Sequence, residues 1–177
     1  VSSILQDSGY YTGFIGKWLL NYKVPDTPVG FDYWAVTDSF KHIDPVVTFN
    51  DGSQVQYYGH DSEIYTDLGI DFWNNKAPSG QPWLLFMAHR VPHDPFNPRF
   101  QDTSLYDSEV IPFPSNFDHY QKNFPSHLYP GKEYTQSADS LTQEIESYFE
   151  TCYSAEASTD SLLSWLANHH LLDSTLI

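Results

Sequence analysis

Apolar positions along the chain fall into short runs that end sharply in polar, Gly or Pro punctuation. The densest run, Trp83-Leu84-Leu85-Phe86-Met87-Ala88, passes directly into His89-Arg90-Val91-Pro92-His93-Asp94-Pro95. An unbroken apolar run of this length predicts a strand buried on both faces, as in a parallel sheet between helices. Tyr10 to Ile15 predicts another strand, ended by Gly16-Lys17, after a helix over residues 1–7 that Ser8-Gly9 stops. Val46 to Asn50 and Gln54 to Tyr58 flank Asp51-Gly52-Ser53 and predict a hairpin. Ile64, Leu68 and Phe72 recur every four residues, which predicts a helix from Asp61 to Asn74.

Lys76 to Pro82 reads as a loop leading into the apolar strand, and residues 92–131 as a long, ordered surface loop rich in proline and aromatics. From Ser137 to about His170 the chain predicts one long helix or two abutting ones. Its apolar stripe would be Leu141, Ile145, Phe149, Cys152, Leu162, Leu163 and Leu166. Leu176-Ile177, after the turn at Asp173-Ser174-Thr175, reads as the start of a further strand. Helices alternating with apolar strands predict an α/β sandwich with a mainly parallel sheet. In such sheets ligands bind just beyond the carboxyl ends of strands. That places His89, Arg90, His93 and Asp94 where chemistry is expected, between prolines that restrict the backbone.

Composition narrows the class. Of 177 residues, 40% are hydrophobic and 17% aromatic, as expected of a globular protein. No apolar stretch approaches the ~20 residues of a membrane helix. The net charge of −15 argues against general attraction to nucleic acid or an anionic membrane, so an anionic substrate needs a local cationic pocket. Cys152 is the single cysteine, which excludes an internal disulfide and a cysteine-built zinc site. The chain begins at Val1 and carries no signal segment, so the expectation is a removed leader or an internal piece of a longer protein.

His89 and His93 are four residues apart, but Pro92 between them argues against a helical metal-binding pair. One of the two is expected to be a structural hydrogen-bonding histidine. The other could donate to an anion or protonate a leaving oxygen, because imidazole titrates near neutrality. Lys17 follows a strand and a glycine without a complete phosphate-loop pattern, so a solvated surface lysine is its plain alternative. Asp26, Asp32 and Asp38 are scattered, and Asp67 and Asp71 are expected to face solvent. Tyr10, Tyr11, Phe31, Tyr33 and Trp34 read as core or rim.

These residues also carry a family likeness. Leu5 to Trp18 resembles the "L…GY.T…GKW" segment of type I sulfatases, in the alkaline phosphatase-like superfamily, and Gly30-Phe31-Asp32-Tyr33-Trp34 resembles their "GFDYW". Tyr65 to Trp73 is similar to "Y.TD…DF", Trp83 to Pro95 to "FFLY.A…PH.P", and Ile111 to Phe117 to "P.P.NF". Phe149 to Ile177 resembles the family's long helix and the strand that follows it. The resemblance implies a three-layer α/β/α sandwich, incomplete here, with residues 1–177 as a partial catalytic domain. It further implies hydrolysis of sulfate esters, on a sulfated small molecule or carbohydrate.

By position, Lys17 resembles the family's sulfate-contacting lysine and His93 the histidine beside the ester oxygen, while His89 and Arg90 lie in the same loop as supporting substrate contacts. The resemblance implies Ca2+ and a formylglycine nucleophile as well. Cys152 is followed by Tyr153-Ser154-Ala155-Glu156 and does not fit the family's Cys/Ser-x-Pro-x-Arg motif, and the family's metal-binding acidic pairs have no counterpart in this sequence. The chain alone is therefore expected to be inactive. Leu19-Leu20-Asn21-Tyr22 is similar to glucosamine-6-sulfatase-like members. An extracellular, periplasmic or lysosomal location follows from the resemblance. Two alternatives stay open: a phosphonate or phosphate ester hydrolase of the same superfamily, and a non-catalytic remnant that binds anions or carbohydrate.

Overall fold

The computed structural model describes residues 1–18, 28–37, 41–113, 115 and 137–177. The positions 19–22, Asp26, Asp38 and most of the 92–131 loop beyond 113 lie outside them.

Five strands form one mixed sheet: β1 (Tyr11–Lys17), β2 (Tyr33–Thr37), β3 (Val46–Phe49), β4 (Gln54–Gln56) and β5 (Trp83–Ala88), in spatial order β4-β3-β2-β1-β5. β1 runs parallel to both β2 and β5, and the predicted hairpin adds two antiparallel pairings on the far side of β2. β2 is a strand that the sequence pattern did not suggest, and it is buried throughout.

Alternation along β1 divides the core between the two faces of the sheet. Ile15 joins Tyr33, Ala35 and Val47 beneath α2 (Asp61–Asp71), which contributes Ile64, Tyr65 and Leu68 and passes into a wider turn at Phe72. Phe14, Trp34 and Val36 form the core of the opposite face. The fully buried Phe72 ring lies against Gly13, where any Cβ would collide with it.

β5 differs from expectation. It is the last strand of the sheet among the described residues, only half-buried, with Phe86 53% exposed and stacked on Phe14 at 5.3 Å. Leu176 and Ile177 likewise form no strand; a short turn at Leu172–Ser174 leads to them and both are exposed.

The long helix is single: α3 (Ala138–Asn168), capped by the Ser137 side chain, which accepts from the Ser140 N–H. Its buried line is Glu150, Ser154, Ser158, Leu162 and Leu166, at steps of four. Phe149, placed on the apolar stripe by sequence, is 44% exposed. The reason is hydrogen bonding: the polar half of the line serves the chain that follows β5. Ser154 Oγ donates to Asp102 Oδ2 (2.7 Å) and accepts from the Arg99 N–H (3.1 Å), and Glu150 Oε1 accepts from the Leu105 N–H (3.1 Å). A hydrophobicity pattern cannot register a helix face built from satisfied polar groups.

Asp102 is 2% exposed and takes two bonds from Arg99, at 2.6 and 2.8 Å, besides that from Ser154. Burial raises its pKa, but the Arg99 and Ser154 hydrogen bonds outweigh that and hold the carboxyl below its ordinary value. The stability it contributes is therefore complete above the unfolded-state pKa of about 4 and fades as pH falls through the lower folded-state value. Asp102→Ala should cost ~2–3 kcal/mol at pH 7, since it removes charge-assisted bonds from a buried site. Urea unfolding of the full-length protein at pH 7 and pH 3 checks this, and the deficit of the variant should shrink at the acidic value.

Candidate functional site

The carboxyl ends of the parallel strands meet at one edge of the sheet. Lys17 ends β1 opposite Thr37 of β2, and Gly16 pairs with Ala88, the last residue of β5. The chain then enters His89-Arg90-Val91-Pro92-His93-Asp94-Pro95. Lys17 and the loop consequently share one electrostatic environment. Partial burial lowers the Lys17 pKa first, the like charge of Arg90 lowers it further, and Asp94 opposes both. Two cations brought together in this way favour an anion.

His93 stands at the mouth of this arrangement, with its side chain 51% exposed. Its Nδ1 lies 2.8 Å from Asp94 Oδ1 and 2.7 Å from Asp94 O, both acceptors, so Nδ1 carries the proton and Nε2 is left for a ligand. Among the expected site residues, His93 is exposed, Lys17 and His89 are partly exposed and Arg90 is buried.

His89 and Arg90, read as supporting substrate contacts, are turned inward. Arg90 is 3% exposed; its Nη2 donates to Asp94 O (2.9 Å) and its Nε faces His42 Nε2 at 3.3 Å. His89 Nε2 meets Ser158 Oγ of α3 at 3.2 Å, and burial lowers its pKa. It is the structural histidine of the pair. A guanidinium so enclosed adds positive potential to the site without offering its donors to a substrate.

Sequence reasoning missed three residues beneath the loop. His60 caps α2 by accepting from the Ser62 N–H, and its Nε2 lies 2.8 Å from Asn97 O. Asp61, fully buried, opens α2, where the helix N-terminus favours a negative charge. His42, 1% exposed, places Nδ1 3.0 Å from Asp61 Oδ2 and Nε2 2.8 Å from His93 O. The stretch from His42 to Asp44 reaches α2 through backbone bonds, Asp61 N–H to His42 O (2.7 Å) and Asp44 N–H to Gly59 O (2.9 Å). A Gly-His-Asp run ahead of the predicted helix was the available signal, but nothing local to His42 marked it.

Comparison with known proteins gives this geometry a context. The sulfatase family model matches residues 1–177. An N-acetylglucosamine-6-O-sulfatase of Bacteroides thetaiotaomicron is 29% identical over 123 residues, covering 67% of this chain and 21% of that protein. The human N-acetylglucosamine-6-sulfatase is 24% identical over 169 residues, covering 89% of this chain and 30% of its own length. The chain thus spans between about a fifth and a third of these relatives. A solved structure in complex with its substrate, D-glucosamine-2-N,6-O-disulfate, superposes with a TM-score of 0.76 at 20% identity, over 97% of this chain and 47% of that one. At that identity the match concerns the fold, which in these neighbours is alkaline phosphatase-like.

Gly16 is the residue on which the meeting of β1 and β5 turns. Its φ is +113°, and a Cβ there would strike the Ala88 carbonyl oxygen. Gly16→Ala should therefore destabilise the fold by more than ~1 kcal/mol, seen as a drop of several degrees in the thermal midpoint of the full-length protein. An unchanged midpoint would show that the two strands have room to separate at Lys17.

Proposed function

The chain belongs to the sulfatase family, and from that premise we propose that it forms part of the catalytic domain of a sulfuric ester hydrolase acting on sulfated carbohydrate. The observation that carries the reading is the joining of Lys17 to the exposed His93 loop at the carboxyl ends of β1 and β5. Lys17, with Arg90 behind it, offsets the charge of a sulfate group. His93, its Nδ1 proton engaged by Asp94, presents Nε2 to the ester oxygen and, when the ring is protonated at both nitrogens, gives the Nε2 proton to the departing alkoxide and keeps the Nδ1 proton. Sulfate at the 6-position of a glucosamine unit is the substrate class we infer. The names of the two relatives and the ligand of the solved neighbour support it.

Calcium and formylglycine belong to the family resemblance. The described residues do not fit calcium: their one His/Cys/Asp/Glu cluster of ligand size is His42, His60 and Asp61, buried and nitrogen-rich. Calcium instead takes six to eight oxygen ligands. Cys152, the sole cysteine, lies within α3 in no formylglycine motif. Neither group enters the roles assigned above. No helix among the described residues is long and apolar enough to cross a membrane. A non-cytosolic location, in the extracellular space, periplasm or lysosome, is part of the proposal.

The test is hydrolysis of glucosamine 6-sulfate and of a generic aryl sulfate by the full-length protein. Lys17→Ala and His93→Ala should each lower kcat/KM by about 10²–10³-fold, the usual cost of removing one transition-state charge partner. Wild-type rates in both variants would overturn the site assignment. Faster turnover of a phosphate or phosphonate ester than of the sulfate would move the chain to another activity of the superfamily. Sulfate binding without turnover would make it a binding module.

A further inference from the structure

The His42 ring stands between two acceptors, Asp61 Oδ2 at 3.0 Å from Nδ1 and the His93 carbonyl oxygen at 2.8 Å from Nε2, with Arg90 Nε also facing Nε2 at 3.3 Å. It lies on neither element that carries the candidate site, yet it is the side chain that reaches the backbone of His93. We propose that His42, oriented by Asp61, is a positioning residue that fixes the His93 carbonyl and thereby sets where the His93 imidazole stands relative to Lys17. The proposal rests on the reading of His93 as a group that acts on the ester.

The geometry supports this in three ways. First, the His42–Asp61 contact that orients the ring is enclosed, since both side chains are 0% exposed, and water does not compete for it. Second, Asp61 depends on His42. Its Oδ1 lies 3.3 Å from His60 Nδ1, but that nitrogen already accepts from the Ser62 N–H and has no proton to give, so Oδ1 has no hydrogen-bond donor. Burial lowers the His60 pKa, in keeping with a neutral ring whose single proton is on Nε2, toward Asn97 O. Third, the backbone bonds between residues 42–44 and 59–61 leave little freedom for His42 to slide along α2. The same atoms bear on a metal reading of the cluster. With the His60 Nδ1 lone pair taken by the helix cap, the trio is a hydrogen-bonded unit and not a cage.

Two substitutions separate the two ends of the ring. In His42→Gln the side-chain amide nitrogen stands near the place of Nε2 and retains a donor for the His93 carbonyl. In His42→Asn the amide stands near the place of Nδ1, so the Asp61 contact survives and the His93 contact is lost. With glucosamine 6-sulfate and the full-length protein, His42→Asn should lower kcat roughly 10- to 100-fold with KM little changed, as expected when a reacting group is misplaced by about an ångström. His42→Gln should recover most of that loss.

Equal losses in both variants, or none in either, would overturn the proposal, provided that Lys17→Ala and His93→Ala reduce turnover. If those two do not, the functional reading itself has failed. Should His42→Asn fail to fold, Asp61→Asn takes its place under the same kcat criterion, because it keeps the volume and one acceptor but not the charge that orients His42. One equivalent of tightly held zinc in the native protein, lost in His60→Gln, would also overturn the proposal by making the trio ligands.

Discussion

Three buried basic side chains hold the chain after β5 by its carbonyl oxygens, and the geometry of the candidate site depends on that grip. His42 takes the oxygen of His93, Arg90 that of Asp94 and His60 that of Asn97. A segment without strand or helix has no ladder in which to pair its backbone, and buried carbonyls left unpaired are costly. Here the donors come from side chains on three different parts of the sequence. The loop is consequently shaped by tertiary contacts: the carbonyl oxygens of His93 and Asp94 are held while both side chains stay exposed.

How much of this was legible in the sequence follows from which interactions are local. The run from Trp83 to Ala88 marked a strand, and the polar cluster after it marked the edge where a parallel sheet opens. The β3–β4 hairpin and the start of α2 were equally visible, because turn chemistry and periodicity act over a few residues. Lys17 and His93 could be singled out because each stands at or just beyond a strand end and matches a position of the family the chain resembles. His42 could not. Its partners lie 19 and 51 residues away, and no pattern in a short window encodes them. The exposure of β5 escaped for a related reason, since an apolar run reports a preference for burial and not the number of neighbours available to satisfy it.

Charge presents a second case of tertiary arrangement overriding composition. A chain with net charge −15 has few cations to place, yet Lys17 and Arg90 are brought close enough for one to lower the pKa of the other. Like charges converge only where other contacts hold them. Arg90 is anchored to the Asp94 carbonyl and set against His42, and Lys17 is fixed by the pairing of β1 with β2 and β5. The repulsion between them is held in place by these contacts and leaves a local excess of positive charge on an acidic chain.

The long helix completes the division of labour. Basic side chains beneath the loop take its carbonyls, while α3 offers acceptors for its N–H groups: Ser154 for Arg99 and Glu150 for Leu105. Ser158 reaches the same region from α3, bonding Ser62 O on α2 and meeting His89 Nε2 after β5. Apolar residues in place of either set would leave these backbone groups of the loop unpaired, three carbonyls on one side and two N–H groups on the other. This explains why α3 buries a polar line at helical spacing where a purely hydrophobic stripe would have packed as well. The line is kept polar because the Arg99 and Leu105 N–H groups of the loop it supports find their acceptors there.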